Sequence, residues 1–218
     1  MPARTKRFSS QPLSRQSLLD LVDEARAAPT QFHLQPAHYW IVSDAELRRK
    51  LYGPCMKNHH ILDAPAIVVF SASRFVASEH KEEMIVQELE AESLTVDEAD
   101  ALEAGIKMYF DTGPMGFGWL GKLIAVPFLR LFTAMPRLAC IHKRLWLHSQ
   151  VMRNATLFWR AAKEAKLGAE FIDMFDEWRI KAALSIPWHH VVVAVCAVGH
   201  IEESFAAQTQ ITIEETLH

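Results

Sequence analysis

Two runs of β-branched and small apolar residues, 66–71 (AIVVFS) and 189–198 (HHVVVAVCAV), constrain this chain more than any other feature. Successive side chains of a strand point to opposite faces, so a strand with one wet face alternates apolar and polar residues. Neither run alternates. Each therefore reads as a strand covered on both sides, and the sheet it belongs to needs a layer on either face. The rest of the chain supplies helices for those layers. In 14–28, Leu18, Leu21, Val22, Ala25 and Ala28 fall on one stripe, with Ser14 as N-cap and Pro29 as stop. Helices are also predicted over 44–51, 79–94, 96–110, 141–167 and 176–184, with Gly168 closing the long one. A short strand is predicted over 38–43, and 209–214 (TQITIE) alternates like an exposed or partner-facing strand. Helices that separate strands predict a mixed α/β (α+β) layer fold rather than a sandwich or a bundle. At 218 residues, half of them apolar, the chain reads as one domain over 1–218.

Charge narrows the partners. Twenty-three Lys and Arg against 26 Asp and Glu leave a formal charge of −3, which argues against nucleic acid as a general ligand. The charge is unevenly spread: residues 79–103 carry ten acids and one base, read as a solvated helix face, whereas 115–166 carry nine bases and one acid. Cys55, Cys140 and Cys196 are too scattered for a disulfide framework and suit a reducing compartment. The N-terminus has no apolar signal region, and a cytoplasmic location is expected. Residues 115–136 have the length of a membrane span, but Lys122 and Arg130 would lie inside it and Pro127 would break it. Two uses remain: a lid over a pocket, or a segment lying in a membrane interface with its bases at the headgroups. The eleven histidines show no recognised ligand spacing, so no metal site is expected.

Residues 28–42 read APTQFHLQPAHYWIV, a helix end, Pro-Thr, Gln35-Pro36 and then a strand. A loop leaving a helix in this way offers hydroxyl, amide and backbone groups to a planar ligand with polar edges. This string resembles the P-S-x-x-N-x-Q-P-W pattern of the nitroreductase family of FMN-dependent oxidoreductases. Pro29, Thr30, Gln35 and Pro36 match, while His33 stands where Asn is usual and Ala37 where Trp is usual. Further matches follow in order. Leu62-Asp63-Ala64-Pro65 leads into an apolar strand, the long helix runs to Leu167-Gly168, and Asp173-Met174-Phe175-Asp176 resembles the family's Glu-Gly-Phe-Asp loop with Met174 in place of Gly. The resemblance spans about residues 4–200.

It implies a central mixed β-sheet flanked by helices, a long central helix, and a variable helical insertion or lid over 79–140. It implies a homodimer with FMN at the subunit interface, NAD(P)H as hydride donor, and a small-molecule nitro, quinone or enone acceptor. Cofactor contacts are expected from Pro29, Thr30, Gln31, His33, Gln35, Asn58 and the stretch Ile172, Asp173 and Met174. Arg4, Lys6 and Arg7 are expected at the FMN phosphate, with Phe117 and Trp119 roofing the substrate pocket. No catalytic acid, base or nucleophile is named, because the flavin carries the hydride. Two other readings stay open: a relative that keeps the fold and binds another ligand without flavin, favoured by the absence of any Lys or Arg after Lys181, and a membrane-surface protein docking through 115–136.

Overall fold

The computed structural model describes residues 7–111, 118–134 and 139–203. Its strands are β1 (Arg7–Phe8), β2 (Ala37–Val42), β3 (Ala66–Ser73), β4 (Gly168–Phe171), β5 (His190–Gly199) and β6 (Ile201–Glu203). Its helices are α1 (Arg15–Arg26), α2 (Ala45–Tyr52), α3 (His60–Asp63), α4 (Val76–Glu90), α5 (Val96–Phe110), α6 (Gly118–Leu129), α7 (Ala139–Glu164) and α8 (Glu177–Leu184). The two apolar runs, β3 and β5, pair at the centre of a four-stranded sheet of order β2-β3-β5-β4. Every residue of both is buried. Alternate side chains serve two cores. Val68, Phe70, Val191 and Val193 pack with α1 and α7, while Ile67, Val69, Val192 and Val195 pack with Leu51 of α2, Ile61 of α3 and Ile180 of α8.

The expected α+β layering holds, but all three pairings are antiparallel, so the sheet is not mixed. Two-sided burial is the same for either strand direction. Direction is set by where the connection ends, and Ser73 pairs with His190, so the helices between them leave and re-enter at the same end of the sheet. The ends of the elements are set by local chemistry. Ser14 caps α1 by accepting from Ser17 N at 3.0 Å. The long helix stops at Glu164, before the expected 167, and the left-handed residue at its end is Lys166 (φ 59°), not Gly168. That leaves room for β4, a short edge strand the hydrophobic pattern did not reveal. Gly168 and Gly199 face each other across β4 and β5 and serve close packing instead. A Cβ at Gly168 would lie 2.6 Å from Ile201 Cγ1, and one at Gly199 2.4 Å from the Pro65 ring.

Pro127 does not break the apolar segment; it sits inside α6, two residues from its end. Among the described residues no helix is long and apolar enough to cross a membrane. Cys55 and Cys196 are buried free thiols, and burial pushes Cys55 up to about 12. The expected strand over 209–214 lies outside the described residues.

Where β3 ends and β5 begins, four histidines meet, from β2, α4, β5 and the turn before β5. The ring of His38 on β2 lies 4.7 Å from His190 and 6.2 Å from His80 of α4, and His189 lies 4.9 Å from His190. Ser71 Oγ contacts His190 Nδ1 at 3.1 Å and accepts from Trp40 Nε1 at 2.8 Å. Glu79 accepts from Ser73 Oγ at 2.9 Å and stands 3.9 Å from His189 Nε2. Lys181 Nζ donates to the His190 carbonyl from the α8 side. Buried His38 Nε2 has no hydrogen-bond partner among the described residues. Burial, reinforced by the neighbouring imidazoles, lowers His38 and carries His190 to about 4.

Two outcomes follow. Gly199→Ala is expected to lower unfolding free energy by about 1–3 kcal/mol through overpacking against Pro65, read from a urea midpoint. An unfolded imidazole titrates at about 6.5, above His38 and His190 in the fold, so the unfolded chain takes up protons first. Stability is expected to be complete above about pH 6.5 and to fall as pH drops toward 4. A His38→Gln, His190→Gln double variant should flatten that slope, and a wild-type midpoint unchanged across the window would contradict this account.

Candidate functional site

The chain passes from α1 to β2 through 27–36, with a 3-10 turn at Gln31–His33. Three non-glycine residues here take left-handed backbone: Phe32 (φ 59°), His33 (φ 53°) and Gln35 (φ 41°). Each such residue costs about 1 kcal/mol, so the surroundings must hold the loop in place. One stripe of α7 does so. Gln150 Oε1 accepts from Gln31 N at 2.9 Å, Trp146 Nε1 donates to Gln31 Oε1 at 2.7 Å, and Arg153 donates to the Pro29 carbonyl at 3.1 Å. Within the loop, Gln35 N donates to Thr30 Oγ1 at 3.1 Å. The Phe32 ring packs edge-on against Tyr109 and Phe110 of α5.

The loop opens on a cleft of about 650 Å³ that brings together four of the expected residues, Pro29, Thr30, His33 and Gln35. Tyr39, His80, Glu88 and Asn154 also line it, and the sequence reading missed them. Glu88 belongs to the acidic run but is not simply solvated: it accepts from Ser93 Oγ and contacts His33 Nδ1 at 2.7 Å, and these partners hold its carboxyl below the usual range. Asn154 donates to the Ala25 carbonyl at 2.8 Å and to Tyr39 Oη at 3.0 Å. Burial pushes Tyr39 up to about 12. A signal for Asn154 was present: it stands with Gln150 at helical spacing inside an apolar helix, where a polar pair needs a reason.

The other expected contacts lie elsewhere. Ile172 is buried in the core on the opposite face of the sheet from the loop, with its N–H donating to Val195 O at 2.9 Å. Asp173 and Met174 follow it on the surface, and their N–H groups make no hydrogen bond among the described residues. Met174 is 70% exposed and its φ is not positive, so the backbone makes no demand for glycine there. One chain thus does not bring 30–35 and 172–174 around a common slot. Asn58 Oδ1 accepts from His60 N at 3.0 Å and lies outside the cleft. Gln31 lines no wall of it; its side-chain Oε1 and its backbone N–H face α7. Arg4, Lys6 and Phe117 lie outside the described residues, as do the side chains of Arg7 and Trp119. In the apolar segment, Ile124, Phe128, Leu131 and Phe132 are exposed, and Lys122 donates to the Met108 and Asp111 carbonyls at the end of α5. No group of three His, Cys, Asp or Glu among the described residues is arranged to hold a metal ion.

Comparison with known proteins agrees with this architecture. An NADH dehydrogenase from Thermus thermophilus is 22% identical over 212 residues, covering 97% of this chain and 89% of the relative. A nitroreductase-like protein of solved structure from Streptococcus mutans superimposes with a TM-score of 0.77 at 16% identity, over 98% of this chain and 91% of that one. An Exiguobacterium sibiricum protein, assigned to the nitroreductases and solved in complex with FMN, gives 0.72 at 11% identity over 99% and 92%. At these identities the structures establish the fold alone. The model of the nitroreductase family matches residues 4–200, and the chain belongs to that family.

Proposed function

We propose that this protein is an FMN-dependent oxidoreductase that takes hydride from NAD(P)H and delivers it to a nitro, quinone or enone acceptor. The observation that carries this reading is the loop 28–36: a strained left-handed backbone held by buried side chains of α7 is a surface built for a ligand rather than a connection left to relax. The residues present fit a flat ring with polar edges. Thr30, His33 and Gln35 offer polar groups at the cleft, and the exposed residues Asp173 and Met174 after β4 have N–H groups with no hydrogen bond among the described residues.

FMN, when bound, would supply the hydride chemistry. The chain's own residues bind and orient. The α7 stripe fixes the loop before any ligand arrives, which lowers the ordering cost of binding. Arg4, Lys6 and Arg7 would clamp the phosphate, since two or three charge-assisted donors suit that group. Phe117 and Trp119 would roof the acceptor and exclude water.

The two ring-contacting stretches serve opposite faces of one sheet, so a flavin touching both lies between two copies of the chain. A second copy also accounts for the exposed apolar residues Ile124 and Phe128 of α6 and Leu145 of α7. The membrane-interface reading draws on the same α6 residues, but Lys122 is held at the end of α5 rather than free for headgroups.

Freshly purified protein is expected to show flavin absorbance, to bind one FMN per chain and to sediment as a dimer. Gln150→Leu, which frees the loop while leaving the sheet intact, should weaken FMN about tenfold or more. Colourless protein that ignores added FMN would favour the flavin-less relative. Anionic liposome binding abolished by Phe128→Asp, in protein that remains monomeric, would favour the membrane reading.

A further inference from the structure

A second cleft of about 650 Å³ lies between the end of β3, the start of α8 and the turn before β5. Trp178 and Trp188 line it with 74% and 69% of their surface exposed. An indole left that open loses the burial that usually accompanies so large a ring, and two on one cleft mark a surface meant to be covered. Trp188 is fixed edge-on by Phe75 at 6.2 Å and His189 at 5.7 Å, and its carbonyl accepts from Lys181 Nζ at 3.2 Å.

The charges of the cleft are three cations, Arg74, Arg144 and Lys181, against Asp176 and Glu177. Both carboxylates are already engaged. Asp176 caps α8 by accepting from the N–H groups of Trp178 and Arg179, each at 3.1 Å. Glu177 accepts from Val192 N, pairs with Lys181 at 3.3 Å and contacts Arg144. Arg74 is different. Its N–H is tied to the His189 carbonyl at 3.1 Å, which fixes where it stands, but its guanidinium has no hydrogen bond or ion pair among the described residues. Lys181 Nζ stands 5.8 Å from the centre of the Trp178 ring, which leaves Trp188 as the main platform; an exposed indole suits a flat base, and an uncommitted guanidinium suits a phosphate, to which it can donate two parallel hydrogen bonds. A free phosphate would need no indoles, and an apolar segment would gain nothing from the arginine.

We propose that this cleft binds the adenosine-phosphate half of the dinucleotide donor, its base stacked on the indoles and a phosphate on Arg74. The proposal rests on the oxidoreductase reading above. Position supports it: Asp176, on the cleft wall, is two residues beyond Met174, whose stretch is proposed to meet the flavin. A donor anchored there by its adenylate has its nicotinamide end free to reach that stretch.

The test uses the full chain and two readouts. Titration with ADP, followed by tryptophan fluorescence and calorimetry, should show saturable, salt-sensitive binding that adenosine reproduces only weakly. Arg74→Ala and Trp188→Ala, both at exposed positions, should each weaken ADP about tenfold or more, with Arg74→Lys recovering part of the loss. In turnover, Arg74→Ala should lower kcat/KM for the dinucleotide by a similar factor and leave that for reduced nicotinamide mononucleotide, which lacks the adenylate, unchanged. ADP binding in a protein that takes no flavin would uphold the cleft and overturn the flavin reading. Flavin-dependent turnover with no ADP binding, or with ADP binding indifferent to both variants, would overturn the cleft. Tryptophan fluorescence that responds to protein concentration and not to ADP would also overturn it, marking the indoles as a contact between copies.

Discussion

A polar stripe along one helix holds together the end of this molecule that carries the candidate site. Trp146, Gln150, Arg153 and Asn154 recur at helical spacing on α7, and each bonds to α1 or to the loop that follows it. Buried donors and acceptors are costly to leave unpaired, so the stripe and the loop fix each other. Without these bonds, left-handed Phe32, His33 and Gln35 would keep only the Thr30, Glu88 and α5 contacts to oppose their relaxation into a common turn. The cleft that presents Thr30, His33 and Gln35 thus depends on a helix more than a hundred residues further along the chain.

The two-sided sheet imposes the other main constraint. Because β3 and β5 are buried on both faces, elements that leave the sheet belong to one core or the other. The loop after α1 joins the α1 and α7 side, and Ile172 joins the side of α2, α3 and α8. A fold of this kind separates within a chain the two stretches proposed to contact the ring, which is why the proposed site calls for a second copy. Gly168 and Gly199 tighten the opposite end, where β1 and β6 pair and Phe8, Pro65 and Ile201 crowd the backbone.

Much of this was legible in the sequence. The apolar runs predicted the central strands, the stripe of 18–28 with Ser14 as cap predicted α1, which ends two residues earlier at Arg26, and the Pro-Thr to Gln-Pro string located the loop. Strand direction was not legible, because two-sided burial looks the same for parallel and antiparallel pairs. β4 was missed because four residues carry little periodicity and Gly168 reads naturally as a helix stop. Glu88 and Asn154 went unseen because their importance lies in contacts 55 and 115 residues distant along the chain, to His33 and Tyr39.

The shared-site claim is tested most directly by a crystal structure of the protein loaded with FMN. The isoalloxazine is expected to lie between Thr30 to Gln35 of one copy and Ile172 to Met174 of the other, with the left-handed backbone at Phe32, His33 and Gln35 retained. A flavin held by a single chain, or bound away from either stretch, would contradict it.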